Sequence, residues 1–122
     1  MAKIITREEF IKLMGTKEQV KLVDVRSREN YQKEHIQNAI SLPVDEIEGK
    51  VQELLDKKEK IVVYCASFEC QASVHAAQKL QALGYNNVLV YKGGLKDYKE
   101  AGFVLAGSLH ETVASKSGCY GC

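Results

Sequence analysis

The apolar, largely β-branched run Ile61-Val62-Val63-Tyr64-Cys65 stops abruptly at a small polar loop. A run of this kind suits a strand covered on both faces. Ala66 onward is loop-like, and an alanine-rich stretch follows in which Val74, Ala77, Leu80 and Leu83 share one helical face. Gly84 is placed to stop that helix in the left-handed conformation. Strand, tight loop and helix in this order put Cys65 beyond the carboxyl end of a buried strand, where α/β sheets gather their chemistry. Loop N–H groups and the positive end of a helix favour a thiolate there, so Cys65 is the expected nucleophile. The competing reading is a buried thiol that merely packs.

The rest of the chain repeats the same alternation. Ile4-Ile5 opens a short strand. Thr6 and Glu9 form a capping box ahead of Phe10, Ile11, Leu13 and Met14, and Gly15 ends that helix. Val20 to Val25 reads as a buried strand, Ser27 to Glu34 as a short polar helix, and Ala39 to Leu42 as a strand stopped by Pro43. Val44, Ile47, Val51, Leu54 and Leu55 are spaced for one helix. Lys57 to Lys60 reads as a solvated turn. Val88 to Tyr91 is a further strand, and Leu95 to Glu100 a short helix after Gly93-Gly94. Strands alternating with helices imply a mainly parallel sheet covered on both faces. One domain over residues 1–106 is expected, followed by a Ser- and Gly-rich flexible tail over 107–122.

Charge narrows the partners. Residues 1–60 carry 12 basic and 12 acidic side chains, and residues 61–122 carry 5 and 4. Neither half has the basic footprint of a nucleic-acid or anionic-membrane binder. No apolar run approaches the ~20 residues that span a bilayer, and acidic residues stand where a signal peptide needs an apolar block. A cytoplasmic protein with no membrane and no nucleic-acid partner is the expectation. In a reducing compartment the four cysteines are reactive or metal-binding before they are structural disulfides.

With these pieces placed, the chain resembles the single-domain rhodanese (sulfurtransferase) family. Leu22-Val23-Asp24-Val25-Arg26 resembles the family strand ending in Asp-Val-Arg. His35-Ile36, Ala39 and Pro43 match its H-I-x-x-A-x-x-x-P segment, and Val62 to Cys65 its strand presenting the catalytic cysteine. Ala76-Ala77, Leu80, Leu83-Gly84-Tyr85 and Val88 resemble the following helix and strand. Lys92-Gly93-Gly94 with Tyr98 resembles the closing G-G-x-x-x-W element, with Tyr in place of Trp. The resemblance implies an α/β three-layer sandwich around a central, mainly parallel five-stranded sheet. It implies that Cys65 takes sulfane sulfur from a small donor, holds it as a persulfide and passes it to a thiol or protein acceptor. Splitting the transfer in two suits a thiolate. It also implies supporting roles for Asp24, Arg26 and His35, and no cofactor or metal.

The active-site loop departs from the family form. Ala66, Ser67, Phe68, Glu69, Cys70, Gln71, Ala72 and Ser73 replace a shorter Cys-x-x-Gly-x-Arg-Ser pattern and bring no Arg or Lys. A dianionic donor such as thiosulfate loses a charge-assisted clamp, and a phosphate ester loses its bidentate arginine, so poor thiosulfate use and no phosphatase activity are expected. Cys70 is either a resolving thiol or a packing residue. Cys119 and Cys122 form a C-x-x-C pair without a following helix; as resolving or acceptor thiols they compete with a simple tail. A zinc site from Cys65, Cys70, Cys119 and Cys122 would silence the nucleophile. Phe68 and Tyr98 either line the mouth or pack, and His75 and His110 have no partners in the pattern. The rival to an enzyme is a non-catalytic thiol redox switch or interaction module on the same fold.

Overall fold

The computed structural model describes residues 2–16 and 19–108. In chain order the elements are β1 (Lys3–Ile5), α1 (Arg7–Met14), β2 (Val20–Asp24), α2 (Arg28–Lys33), β3 (His35–Ile36) and β4 (Ile40–Ser41). A 3-10 turn (Val44–Glu46) leads into α3 (Ile47–Leu54), then β5 (Lys60–Tyr64), α4 (Ala72–Ala82), β6 (Val88–Tyr91), α5 (Gly94–Glu100) and β7 (Leu105–Ala106). Strands β1, β6, β5, β2 and β4 form the central sheet in that order, and every pairing in it is parallel. This is the expected α/β sandwich with a five-stranded parallel sheet.

The period-2 alternation of β5 divides the core. Ile61, Val63 and Cys65 face a cluster with Val51 of α3 and Ala76, Ala77 and Leu80 of α4. Val62 and Tyr64 face the opposite cluster with Phe10 of α1 and Leu95 of α5. Strands β2 and β6 follow the same rule, with Val23, Val88 and Val90 on the first face and Leu22 and Tyr91 on the second. Burying apolar side chains on both faces is the main favourable term for such a sheet. On the second side the capping box closes α1: Thr6 Oγ1 accepts from Glu9 N–H at 3.1 Å, and Glu9 Oε1 accepts from Thr6 N–H at 3.0 Å. Phe10 then stacks on Tyr91 with centroids 4.5 Å apart.

One polar group is buried in that second layer. Asp24 is fully buried, directly opposite Tyr64 in the β2–β5 register. Its carboxylate accepts from Tyr64 Oη at 2.8 Å and from Arg26 Nη2 at 2.9 Å, while the Arg26 backbone N–H adds a bond at 2.9 Å. Tyr64 Oη accepts in turn from Ile36 N–H at 3.0 Å. Burial, reinforced by the Asp24 charge, drives the Tyr64 phenol far above its ordinary pKa, so it stays a donor. A buried carboxylate is tolerable only with such a full set of donors.

Three local readings change. Residues 44–55 are not one helix: Val44 N–H is taken by Val25 O at 3.3 Å and Glu46 N–H by Pro43 O at 2.9 Å, which tightens the first turn. Lys60 belongs to β5, paired with Val20, and not to the preceding turn. His35-Ile36 pairs antiparallel with Leu105-Ala106 in a separate ribbon, two residues on each side and too short to show a period. Among the described residues no helix is long and apolar enough to cross a membrane.

Tyr64→Phe removes one donor from Asp24 and the acceptor of the Ile36 amide. The expected cost is about 1–3 kcal/mol, read as a lower urea midpoint at unchanged slope.

Candidate active site

Parallel register brings the site together. Asp24, Tyr64 and Tyr91 stand level on β2, β5 and β6, so the residues after them emerge side by side. Cys65 follows Tyr64, and Lys92 follows Tyr91. The chain turns at once, with Cys70 N–H donating to Ser67 O at 3.1 Å, and α4 starts at Ala72.

The first turn of α5 fixes the start of this loop. Leu95 N–H donates to Cys65 O at 3.0 Å and Lys96 N–H to Ala66 O at 2.9 Å. The close approach explains Gly94, which has φ of +66° and whose missing Cβ would collide with the Cys65 carbonyl oxygen. Helix α5 is itself anchored, because Asp97 accepts from Arg7 Nη1 at 3.0 Å and from Tyr91 Oη at 2.7 Å. A cation then enters from outside the loop. Lys92 Nζ donates to Cys70 O at 2.8 Å and also to Phe68 O.

Within this frame the two thiols meet. Cys65 is fully buried and Cys70 is half-buried above it. Cys65 Sγ lies 3.5 Å from Ser73 Oγ and 3.4 Å from Cys70 O. Burial pushes the Cys65 thiol up, and hydrogen bonding to the Cys70 sulfur adds to this, against the Ser73 hydroxyl and backbone N–H. Burial also opposes an anion at Cys70. There, however, the Cys65 thiol, the N–H groups of Ala72 and Ala66, and the Lys92 charge outweigh it, and the net direction is down.

The pull toward an anion acts on Cys70, and Cys65 is shifted the other way. The amides of the loop exist, but a second sulfur five residues on takes two of them, and Ser73 supplies the one that reaches Cys65. The other expected residues fall in different places. Asp24 and Arg26 lie on the opposite face of the sheet from Cys65, so their network holds β2, β5 and the Glu34–Ile36 segment together and does not line the loop. His35 stacks on Tyr31 at 3.8 Å with Nδ1 against Tyr31 O at 2.7 Å, a structural role. Tyr98 packs between Phe10 and Phe103 and is away from the mouth.

Phe68, 62% exposed, does border a hollow of about 110 Å³ beside the loop, together with Ser67, Glu69, Gly93, Lys96, Asp97 and Glu100. Ala66, Glu69 and Gln71 are exposed on the loop, as is His75 on α4. Cys119, Cys122 and His110 lie outside the described residues, and with them half of the four-thiolate zinc set. Two contributors were not anticipated as site residues, Lys92 and Gly94. Their signal was position: both follow the strand that pairs in register with β5.

A family model described as Rhodanese-like domain matches residues 6–101. The chain belongs to that family. It is 38% identical over 76 residues to the thiosulfate sulfurtransferase PspE of Escherichia coli strain K12, covering 62% of this chain and 70% of PspE. It is 31% identical over 83 residues to the thiosulfate sulfurtransferase GlpE of Coxiella burnetii, covering 68% of this chain and 75% of GlpE. The solution structure of a rhodanese-like domain from an Anabaena protein shares the fold, with a TM-score of 0.80 at 24% identity over 100% of this chain and 92% of that one. Rhodanese-like membership rests on nearly the whole described chain, from the α1 cap to the end of α5.

Two outcomes follow from the loop geometry. Gly94→Ala forces a side chain at positive φ against the Cys65 carbonyl, costing about 1–3 kcal/mol; thermal unfolding checks the loss, and faster alkylation of Cys65 checks the displaced loop. In the wild-type protein Cys70 is alkylated before Cys65, with a rate–pH midpoint below that of an ordinary thiol. Because the Cys65 side chain lowers the Cys70 pKa, Cys65→Ala, which removes the donor, moves that midpoint upward, which iodoacetamide rates followed by peptide mass analysis will read.

Proposed function

We propose that the protein is a sulfurtransferase that carries sulfane sulfur as a persulfide on Cys65 and passes it to a thiol or other nucleophilic acceptor. The observation that carries the reading is the Cys65 sulfur at the end of the central strand, 3.5 Å from Ser73 Oγ and 3.4 Å from the carbonyl of Cys70, a second thiol in the same loop. The family supports the same class, since PspE and GlpE are thiosulfate sulfurtransferases by name.

The chemistry follows from the pair. The Cys70 thiolate takes the Cys65 proton as Cys65 Sγ attacks the sulfane sulfur. The donor's bond to that sulfur breaks, and the leaving group departs with its electron pair. The persulfide anion that results sits among the loop N–H groups and near the Lys92 ammonium, which stabilise it. Because Cys65 is closed over at rest, a donor meets it when the Phe68–Cys70 turn lifts. The side chains of Phe68 and Glu69 already stand in solvent.

The same geometry supports weak thiosulfate use. The Lys92 ammonium is engaged by the Phe68 and Cys70 carbonyls and not offered to the mouth. The neighbouring hollow sets Glu69, Asp97 and Glu100 against Lys96. A dianion is disfavoured there, and a singly charged or neutral persulfidic donor is preferred. Free thiols at Cys65 and Cys70 fit a reducing compartment, the cytoplasm in our reading.

Incubation with a sulfane donor should add one sulfur atom to the protein, and Cys65→Ser should abolish the adduct. Loss of a charge-assisted clamp, about 1.5–3 kcal/mol, sets the expected preference in kcat/KM for glutathione persulfide over thiosulfate at roughly 10- to 100-fold. Steady-state sulfur transfer to cyanide or a thiol reads it. Stoichiometric thiol oxidation without any sulfur adduct or turnover would instead indicate a redox switch.

A further inference from the structure

We propose that Cys70 is the resolving thiol of this carrier: it expels the sulfane sulfur from Cys65 as hydrosulfide and closes a Cys65–Cys70 disulfide, which a dithiol reductant reopens. The inference rests on the persulfide reading and names the acceptor class that the reading leaves open. Three observations carry it.

The first is contact. Cys65 Sγ lies 3.4 Å from the Cys70 carbonyl oxygen, so the two cysteines meet across the loop. A thiol held against its target reacts as if at very high concentration, so a free thiol in solution competes poorly with it.

The second is that the backbone of Cys70 is held there by two ties, one of which also holds Phe68. Its N–H donates to Ser67 O at 3.1 Å, its carbonyl accepts from Lys92 Nζ at 2.8 Å, and Lys92 also grips the Phe68 carbonyl. The ring between the cysteines contains only Ala66, Ser67, Phe68 and Glu69, of which Ala66, Phe68 and Glu69 are exposed. Their exposed side chains leave the short ring room to adjust toward disulfide geometry on its solvent side.

The third is the asymmetry of exposure. Cys65 is fully buried, whereas Cys70 is half-buried on the solvent side. Once the disulfide has formed, Cys70 Sγ is the sulfur that a reductant's thiolate can reach. Attack there releases Cys65 first, ready for the next donor.

The step balances without an outside oxidant. The Cys70 sulfur, which took the Cys65 proton when the persulfide formed, gives it to the persulfide's outer sulfur as it attacks Cys65 Sγ. The Cys65–Cys70 sulfur–sulfur bond forms as the bond from Cys65 Sγ to the sulfane sulfur breaks. The sulfane sulfur leaves with the electron pair and the proton from Cys70 as hydrosulfide. It is reduced by two electrons, and the two cysteines are oxidised by one each. Two thiols of the reductant later return those electrons and become its own disulfide.

The test is a single turnover in thiol-free buffer on the full chain. The donors are one equivalent of glutathione persulfide and, separately, excess thiosulfate, with Cys65→Ser as the blank. Tryptic cleavage leaves both loop cysteines on the peptide 61–79, apart from Cys119 and Cys122. The expected wild-type result is one hydrosulfide released per chain and a 61–79 peptide lighter by two hydrogens than its dithiol form. Cys70→Ser should lose the hydrosulfide release and keep the added sulfur on Cys65. A wild-type protein that holds a stable Cys65 persulfide and releases no more hydrosulfide than Cys70→Ser overturns the resolving role while leaving the carrier intact. No added sulfur and no hydrosulfide from either donor, in wild type and variant alike, overturns the carrier reading and this inference with it. The wild-type arm decides the question even if the variant folds poorly.

Discussion

The end of the central strand is held by backbone, and the site depends on that grip. Two N–H groups from the first turn of α5 reach the Cys65 and Ala66 carbonyls, and the approach is close enough that only glycine fits at position 94. Carbonyls fixed in this way fix the direction in which the loop leaves the sheet. The loop can then turn back through the Ser67–Cys70 hydrogen bond and lay the second sulfur over the first. Helix α5 can act as a clamp because Asp97 ties it to α1 through Arg7 and to β6 through Tyr91.

The sheet keeps its two kinds of polarity on opposite faces. One face carries the thiols among aliphatic side chains, where burial keeps a lone thiol protonated. The other carries the Asp24 carboxylate, neutralised by Arg26 and hydrogen-bonded by Tyr64. Strand alternation enforces this separation, since Tyr64 and Cys65 are neighbours in sequence and so point to opposite sides. A charged network that resembles a support for the active site is thereby a support for the strands that present it.

The electrostatics of the pair follow from competition for few donors. A single cysteine in this loop would have the amides of Ala66, Ala72 and Ser73 to itself. With two sulfurs the more exposed one takes most of them, along with the Lys92 field, and the buried one becomes its proton donor. One negative charge shared between two sulfurs is less costly in the partly dry loop than two, so the two thiols are shifted in opposite directions. That state suits a site which must first attack a donor and then dispose of what it has bound.

The order of strands and helices, the α1 capping box, the Gly84 stop and the position of Cys65 at a strand end were all legible in the residues, because each depends on local periodicity or on one residue's conformational preference. The short β3–β7 ribbon was not legible, since two-residue strands have no period. Nor was the split of residues 44–55, which a hydrogen bond from Val44 to the end of β2 imposes. The sequence by itself determined that a thiol stands at the end of a buried strand with a second one five residues later. Only the tertiary structure brought Lys92 and Gly94 against the loop and set the Asp24–Arg26 network on the opposite face of the sheet from Cys65. Those outcomes arise where separate strands come into register, and spacing along one chain does not encode the distance between them.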